Sequence, residues 1–334
     1  MQREYLLPTV GTLLLLIVAA LLYVITKFFF QAASLNTTPI NYILPQGSST
    51  KLAFSLYKAG LISNPRMFIL MSKIEGKAQH LKAGAYVFNP GISAQQILDK
   101  IYRGAYASYK ITLVEGWTLQ QILLEMANNP NIQHTLKGLT VAQLASEFKL
   151  PQENPEGWFF PDTYQFYWGT SDRQILALAV QRMQAAVNYE WNNRAAKLPY
   201  KTAYEALIAA SLIEKETYLA SELNMVSGVI VRRLRQRMPL QIDSTIIYAM
   251  GEHYQGKISR ANLAIQSPYN TYLHYGLPPT PIASPGLAAL HAALHPDETR
   301  TLYFAARGDG SGSHVFNDNL HAHTAIIKKY ILKK

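Results

Sequence analysis

Two carboxylates, Glu214 and Glu216, stand at the end of an otherwise apolar stretch, ALIAASLIEKET at residues 206–217. Upstream, Thr202 and Glu205 have the spacing of a capping box, so we expect a helix that begins directly after Thr202 and is buried on nearly all sides. A carboxyl group at position 214 would be partly desolvated and close to the negative end of the helix dipole. Both effects favour its protonated form. The arrangement predicts a general acid, and the alternative is the solvated end of an ordinary core helix.

A protonated carboxyl group can serve the cleavage of a glycosidic bond, which ordinarily also needs a second carboxylate as base or nucleophile. Glu216 is poorly placed for that second role, because residues two apart on a helix point to different faces. Glu156, Asp162 and Asp243 are surrounded by loop or aromatic residues, but their spacing singles out none of them. One form of glycan cleavage needs no second carboxylate. There the 6-hydroxyl of muramic acid attacks its own anomeric carbon, so one residue can act as acid and then as base.

Other reaction classes fit the sequence less well. The chain has no cysteine, so cysteine nucleophiles are excluded. S-x-x-K spacing occurs three times, but the S-D-N and K-T-G motifs that accompany it in penicillin-binding proteins are missing from the sequence. His314, His321 and His323 lie near one another in the sequence without an H-E-x-x-H motif. We therefore predict neither a metal site nor any other cofactor.

The N-terminus predicts a membrane anchor. Residues 5–26 contain no charged residue over 22 positions, and at about 1.5 Å per residue such a helix is roughly 33 Å long, enough to cross a bilayer. A cleaved signal peptide is the alternative, but its apolar core is typically only about 7–15 residues long. Arg3 precedes the span and Lys27 follows it, and we expect the short tail to stay in the cytoplasm. Residues 1–30 are thus predicted to be a cytoplasmic tail and a single transmembrane helix.

Composition and charge limit the number of domains and the kinds of partner that the remaining chain can have. With 334 residues and 49% hydrophobic content, it is long enough for two domains beyond an anchor. A net charge of +10 indicates an anionic partner, either phospholipid headgroups, an acidic cell-wall polymer or nucleic acid. A location outside the membrane argues against nucleic acid, and no nucleic-acid motif accompanies the basic residues. The dense basic cluster, Arg232, Arg233, Arg235 and Arg237, is expected to be a solvated helix face.

The first folded unit follows a polar linker at residues 31–40. Within it, GISAQQIL at 91–98 closely matches GWTLQQIL at 116–123. Each stretch is typical of a turn, an N-cap and a helix, with Ser93 and Thr118 as the caps. The preceding segments are strand-like, so we expect small units of strand and helix here.

Two domains are predicted beyond the linker. Residues 41–107 should hold two strands around two helices, a pattern that resembles a LysM-like module, the type that binds N-acetylated glycans; a structural spacer is the alternative. Residues 108–334 should form a larger mixed α/β domain. Within it we expect helices at 172–196 and 222–237, the second stopped by Pro239, and then loop-rich sequence. The predicted fold class is α+β, with one transmembrane helix.

Several motifs resemble those of the MltG/YceG-type endolytic murein transglycosylases, and the resemblance covers nearly the whole chain. The matching segments are EGW-F-PDTY at 156–164, IEKET at 213–217, Q-D-T at Gln241, Asp243 and Thr245, YNTY at 269–272, GLPP-PI at 276–282, and H-F-N-N at His314, Phe316, Asn317 and Asn319. The resemblance implies that Glu214, the first glutamate of the EKET motif, is catalytic, in agreement with the helix argument. It also implies cleavage between N-acetylmuramic acid and N-acetylglucosamine in nascent peptidoglycan, which leaves 1,6-anhydromuramic ends.

The same resemblance implies a set of residues that bind the glycan. The set is Glu156, Asp162, Tyr164, Gln241, Asp243, Thr245, Tyr269, Asn270 and Tyr272. Aromatic faces and amide groups suit sugar rings and their N-acetyl groups. The expected partners are peptidoglycan glycan strands and cell-wall synthases at the bacterial inner membrane, with the catalytic domain on the outer, periplasmic side and no nucleic acid bound.

Two alternatives stay open. A non-catalytic scaffold would bind glycan through the LysM-like module and organise the synthesis partners, and it would keep its cellular function after Glu214→Gln. A hydrolytic muramidase would use Asp243 or Asp162 as its second carboxylate and would leave reducing muramic ends.

Overall fold

A computed structural model of the chain describes residues 6–30 and 37–330. Helices and strands are mixed, as the sequence predicts, and they form two compact units. One unit comprises residues 1–109 with 165–169, and the other comprises residues 110–164 with 170–334. The predicted cytoplasmic tail before residue 6 and the linker residues 31–36 lie outside the described residues.

The first unit holds α1 (Leu6–Phe30), β1 (Ile40–Leu44), α2 (Ser49–Lys58), α3 (Pro65–Ile74), β2 (Gly84–Phe88) and α4 (Ala94–Arg103). Its two strands pair antiparallel, with Tyr42 opposite Tyr86. The strands and helices enclose an apolar core that includes Leu52, Leu56, Phe68 and Ile97. The order strand, helix, helix, strand is therefore present, whereas the LysM-like identity of this unit and its glycan binding stay predictions.

The helix α1 is long and apolar enough to cross a membrane. Residues 11–29 have a mean hydropathy of 2.4. Leucine side chains along the helix are exposed, among them Leu15 at 70%. Such a continuous apolar surface is not stable in water and is what a bilayer would cover. A signal sequence has a similar composition, so the membrane anchor stays a prediction.

The remaining elements follow in chain order and belong mostly to the second unit. They are β3 (Ser108–Thr112), α5 (Leu119–Asn128), α6 (Val141–Glu147), β4 (Thr163–Tyr167), α7 (Asp172–Asn192), α8 (Ala203–Glu216), α9 (Leu223–Arg235), α10 (Asp243–Met250), α11 (Leu287–Leu294), β5 (Tyr303–Ala306), β6 (His314–Asn317) and α12 (Leu320–Tyr330). The strands β3 and β4 pair as one two-stranded sheet. The strands β5 and β6 form an antiparallel hairpin, with Phe304 opposite Phe316.

Four of the described helices begin with the same capping box. A Ser or Thr hydroxyl accepts the backbone N–H three residues on, and a Gln at that position bonds back to the cap. The four pairs are Ser93 with Gln96, Thr118 with Gln121, Thr140 with Gln143, and Ser171 with Gln174. The predicted caps Ser93 and Thr118 are thus confirmed.

The helix α8 is the centre of the second unit. It begins where the sequence predicts, because Thr202 Oγ1 accepts a 3.2 Å hydrogen bond from the backbone N–H of Glu205. All residues from Ala206 to Ile213 are buried. α7, α9 and α11 pack against α8. The helix ends at Glu216, where Thr217 is extended.

Two predicted helices end earlier in the structure than the sequence pattern indicates. α7 stops at Asn192 instead of residue 196, because the next residues bond to the end of α11: Ala195 N–H donates to Leu294 O at 3.0 Å. α9 stops at Arg235 instead of residue 237, because Arg237 adopts a left-handed conformation with φ of 53°. The region beyond Pro239, expected to be loop-rich, also contains the short helices α10 and α11.

Only the last two residues of the basic cluster at the end of α9, Arg235 and Arg237, have the solvent exposure that the sequence predicts for all four. Arg233 is only 6% exposed and donates to the carbonyl oxygens of Leu302 and Leu240 at 2.7 and 2.8 Å. Arg232 pairs with Asp297 at 3.0 Å and also donates to carbonyl oxygens. These guanidinium groups join α9 to the segments around it, because they supply donors to backbone carbonyls that helices and strands leave free.

We expect Arg233→Met to lower the free energy of unfolding by about 2–4 kcal/mol, because it leaves several buried carbonyl oxygens without a donor. Arg235→Met removes the same charge from an exposed position and should change it by less than about 1 kcal/mol. Denaturant unfolding of the two purified variants beside the wild type measures both values. Equal small effects would contradict the structural role of Arg233.

Candidate active site

Glu214 lies in the last turn of α8, where the helix leaves the apolar core. Its side chain is partly buried, and its Oε2 accepts a 2.9 Å hydrogen bond from the backbone N–H of Gly286, the residue that caps α11. Gly116 lies on another side, so that a Cβ added there would be 3.7 Å from Glu214 Cγ. The carboxyl group is therefore held between the start of α11 and the segment before α5, with part of its surface open to solvent.

The position of this carboxyl group is fixed by bonds between three segments. Ser211 Oγ, one turn earlier on α8, accepts the N–H of Ile282 at 3.0 Å. Ser284 in turn pairs with the segment before α5: its carbonyl accepts from Gly116 N–H at 2.9 Å, and its N–H donates to Trp117 O at 2.8 Å. Residues 282–286 thus connect α8 to residues 116–117, and Gly286 N–H points at the carboxylate.

Burial is the largest influence on the acidity of Glu214, and it raises the pKa of this carboxyl group. The nearby carboxylate of Glu115 raises the pKa further. The Gly286 N–H and the charge of Lys215 act in the opposite direction. Because the net shift is upward, the protonated form extends to higher pH than in a free glutamate, as a general acid requires.

Sequence reasoning missed Glu115. Its carboxylate lies against Gly286, since a Cβ added to Gly286 would be only 2.0 Å from Glu115 Oε1. Glu115 and Glu214 therefore contact the same glycine, the N-cap of α11. The signal available in the sequence was the pair Glu115-Gly116 shortly before Thr118, the cap of α5, but only the tertiary structure brings that pair to α8.

Glu216 faces a different environment from Glu214. It contributes to a cleft of about 410 Å³, the Asp243 cleft, together with the predicted residues Gln241, Asp243 and Tyr272. Ser244 Oγ donates to Glu216 Oε1 at 2.9 Å, and the Tyr272 hydroxyl donates to Asp243. Burial, and then the nearby Asp243 charge, raise the pKa of Glu216. The structure thus brings three predicted binding residues together beside Glu216.

Gln241 has a backbone conformation that non-glycine residues rarely adopt, with φ of 52°. Two bonds hold it there: its N–H donates to Thr271 O at 3.1 Å, and its side-chain oxygen accepts from Arg233 at 3.4 Å. A strained residue persists only where its surroundings fix it. Its amide is thereby fixed at the wall of the Asp243 cleft.

Glu156 lies in a second cleft of about 550 Å³, the Glu156 cleft, which Lys215, Ser244 and Tyr248 also line. The Glu156 side chain is 3% exposed. It accepts hydrogen bonds from the N–H of Leu119 at 2.9 Å and from the Tyr248 hydroxyl at 3.0 Å. Burial is the main cause that raises the pKa of Glu156, to about 7, although these hydrogen bonds and Lys215 lower it.

Asp162 and Tyr164 lie near Arg182. The Asp162 carboxylate pairs with the Arg182 guanidinium at a half-exposed position. The Tyr164 ring is 2% exposed and lies under the same guanidinium, and its hydroxyl donates to Phe160 O at 2.7 Å. In this conformation both side chains already have protein partners, and their contact with substrate stays a prediction.

The remaining predicted binding residues organise loops. Thr245 and Asn270 are fully buried. Thr245 Oγ1 donates to Ile242 O at 2.6 Å, and the Asn270 amide donates to Leu263 O and Ile265 O at 3.0 and 2.9 Å. Tyr269 packs its ring on Tyr248 and bonds to Thr280 at 2.8 Å. These residues fix the walls of the clefts, and direct contact with a glycan stays a prediction for each of them.

Of the three histidines near the C-terminus, His314 pairs with Glu222. His314 is partly buried, and Glu222 accepts from its backbone N–H at 2.8 Å and contacts its ring at 2.7 Å. In the described part of the chain, one group has the composition of a metal site: Glu190 of α7 with His291 and His295 at the end of α11. The two imidazole rings are stacked with their centres 4.1 Å apart, and both nitrogens of His295 face carbonyl oxygens. An ion shared by the three residues would have to replace one of these carbonyl contacts.

Comparison with known proteins adds to this geometry. The model of the YceG-like family matches residues 42–329. An endolytic murein transglycosylase from Bacillus subtilis (strain 168) is 33% identical over 322 residues, which cover 90% of this chain and 87% of that protein. An endolytic murein transglycosylase from Streptococcus pneumoniae (strain R6) is 26% identical over 87% of this chain, but the match spans only 58% of the pneumococcal protein.

A solved structure is also similar. The crystal structure of a yceG-like protein from Listeria monocytogenes matches 87% of this chain and 99% of its own, with a TM-score of 0.56 and 28% sequence identity. The similarity thus extends over both units described above.

The raised pKa of Glu156 should appear as a pH dependence of stability. The folded chain keeps the Glu156 proton up to pH about 7, while the unfolded chain loses it near 4.5, so unfolding releases a proton between these values. Stability from this group is fully present below pH 4.5 and is lost as pH rises to about 7, by up to roughly 3 kcal/mol. Denaturant unfolding of wild type and Glu156→Gln from pH 4 to 8 measures the difference. A difference that does not fall over this range would contradict the assignment.

Proposed function

The chain belongs to the YceG-like family, and from this premise we propose that it is an endolytic murein transglycosylase that uses Glu214 as both general acid and general base. The observation that carries the proposal is the position of Glu214: a partly buried carboxyl group at the open end of α8, beside a backbone N–H and with a raised pKa. The relatives named above supply the substrate class, the glycan strands of peptidoglycan.

In the proposed first step the protonated Glu214 donates its proton to the oxygen that joins N-acetylmuramic acid to N-acetylglucosamine. The bond between that oxygen and the anomeric carbon breaks, and positive charge develops on the muramic ring. The Glu214 carboxylate that remains keeps the hydrogen bond from Gly286 N–H. This donor stabilises the charged form and prevents the side chain from turning away.

In the proposed second step the muramic 6-hydroxyl attacks the anomeric carbon, and the Glu214 carboxylate accepts the hydroxyl proton. The products are a 1,6-anhydromuramic end and a free N-acetylglucosamine end, no water is consumed, and Glu214 is again protonated. Because the nucleophile belongs to the substrate, its effective concentration is high and no second catalytic carboxylate is needed. This accounts for a site in which Asp162 is paired with Arg182 and Asp243 with Tyr272.

We further propose that the two clefts beside α8 accommodate the glycan strand. Consecutive residues at the end of α8 point in different directions, so that Lys215 lines the Glu156 cleft and Glu216 lines the Asp243 cleft. The hydroxyl, amide and aromatic groups of Gln241, Tyr248 and Tyr272 are of the kinds that hold sugars. Glu214 itself lines neither cleft; in this proposal a strand that runs from one cleft to the other crosses the end of α8, where Glu214 lies.

The apolar helix α1 is proposed to anchor the enzyme in the cytoplasmic membrane, with the catalytic unit on the outer side. Lys27 is its only charged residue, and the side chains described from residue 11 are mostly exposed. An anchor of this kind would restrict the enzyme to glycan near the membrane, where cell-wall synthases release new strands. Glycan binding by the first unit, as a LysM-like module, is part of the same proposal.

Glu214→Gln should reduce cleavage of purified peptidoglycan by at least about 100-fold, because the amide cannot donate the acidic proton or take it back. The wild type should release products with 1,6-anhydromuramic ends, identified by mass spectrometry. Glu298→Gln, which removes an exposed carboxylate elsewhere in the same unit, is the matched control and should cleave like the wild type.

Each alternative gives a different product pattern. Reducing muramic ends would indicate hydrolysis, and Asp243→Asn would then test the second carboxylate. Glycan binding without cleavage by wild type and variant alike would favour the scaffold and overturn the proposed activity.

The proposed anchor predicts where the chain is found. In fractionated cells the full-length protein should stay with membranes after carbonate extraction, and external protease should digest residues 37–330 in spheroplasts. Removal of residues 1–36 should release the protein from the membrane fraction. A full-length chain found in the soluble fraction would contradict the anchor.

A further inference from the structure

Glu115 is placed at the candidate active site by backbone contacts, and the reaction outlined above does not use it. It directly precedes Gly116, whose N–H donates to Ser284 O at 2.9 Å and whose carbonyl accepts from Lys215 Nζ at 3.1 Å. These two bonds fix the backbone beside Glu115 to α8 and to residues 282–286. The Glu115 side chain itself is exposed and forms none of the described salt bridges.

Gly286 brings the two carboxylates together. Its N–H bonds to Glu214 at 2.9 Å, and the space that a Cβ would fill is occupied by the Glu115 carboxylate, with Oε1 2.0 Å from the Cβ position. Any larger residue at 286 would have to displace that carboxylate. The backbone of Gly286 has φ of −74° and ψ of 171°, which every residue can adopt, so the turn itself does not require glycine. The Cβ of a larger residue would instead meet the end of the Glu115 side chain.

We propose that Glu115 is a positioning residue for the reaction, which acts through Glu214 by placing a second negative charge beside the carboxyl group that must donate the proton. The inference rests on the proposed function of Glu214. Two carboxylates that share one small site resist simultaneous ionisation, so the more buried one keeps its proton. Glu214 is the more buried of the two, and Glu115 is open to solvent.

The charges around Glu214 support this division. From its own helix, Lys215 favours the ionised form; from the start of α11, the Gly286 N–H does the same; from the segment before α5, Glu115 opposes both. Without Glu115, burial alone would oppose the two groups that favour the ionised carboxylate. The proton on Glu214 would then be lost at lower pH, and less of the enzyme would be ready to act as an acid.

The test is the pH profile of peptidoglycan cleavage by the full-length chain in detergent, for wild type and Glu115→Gln. Activity should fall on the alkaline side as Glu214 loses its proton. Glu115→Gln should move that alkaline limb to lower pH by about half to one unit. At pH values above the limbs of both proteins, the variant should be roughly three- to tenfold less active than the wild type. At pH values below both limbs, the two activities should differ little. High salt should reduce the difference, because Glu115 is exposed to the solvent.

Three further variants separate charge from structure. Glu115→Asp keeps the charge and should restore most of the wild-type profile, and Glu298→Gln removes a charge at a distance and should not shift it. Gly286→Ala keeps the N–H to Glu214 but pushes the Glu115 carboxylate away, so it should shift the limb in the same direction as Glu115→Gln. Thermal unfolding of each variant identifies any loss that comes from misfolding.

The outcomes are distinguishable. An unchanged alkaline limb in folded, active Glu115→Gln overturns the inference and leaves the role of Glu214 intact. Loss of activity at every pH in Glu115→Gln also overturns it, since this would mean that Glu115 itself touches the substrate. If Glu214→Gln stays active while Glu115→Gln does not, the proposed function fails and the inference fails with it.

Discussion

The site depends on one constraint: a helix that is buried on all sides must leave the core at its end, and α8 leaves it at a carboxylate. From Ala206 to Ile213 every residue is buried. The next residue, Glu214, is therefore only partly desolvated, and one backbone N–H compensates it. Deeper burial would raise the pKa further, and full exposure would return the ordinary acidity of a glutamate. The intermediate position suits a proton that must leave and return.

The segment 282–286 transmits this constraint to the rest of the unit. A bond with Ser211 connects it to α8, and the bonds of Ser284 connect it to the segment before α5. Its last residue, Gly286, supplies the N–H that bonds to Glu214. Elements from three distant parts of the sequence therefore meet at the carboxyl group. Gly157 shows the same close packing, since a Cβ there would lie 2.5 Å from Pro281. The chain around Pro281 is thus tightly packed shortly before Gly286, whose N–H is the donor to Glu214.

Sequence patterns predicted those features that local chemistry decides. The caps at Thr202, Ser93 and Thr118 bond as their spacing indicates, because a hydroxyl three residues before a backbone N–H needs no distant partner. The patterns failed where distant groups compete. The end of α7 yields to bonds with the end of α11, and Arg233 is drawn inside by backbone carbonyls of later segments. Those partners lie far along the chain, so the local pattern of residues does not indicate them.

The residues alone predicted a carboxylate at the end of an apolar helix, an apolar span before the folded units, and a resemblance to a family of murein transglycosylases. Each follows from the order of residues along one element or one motif. It takes the fold to bring Gly286 and Glu115 to Glu214, and to gather Gln241, Asp243 and Tyr272 beside Glu216 instead. A pKa and a cleft depend on distances through space, and these residues, about 25 to 100 positions apart in the sequence, acquire those distances only when the chain folds.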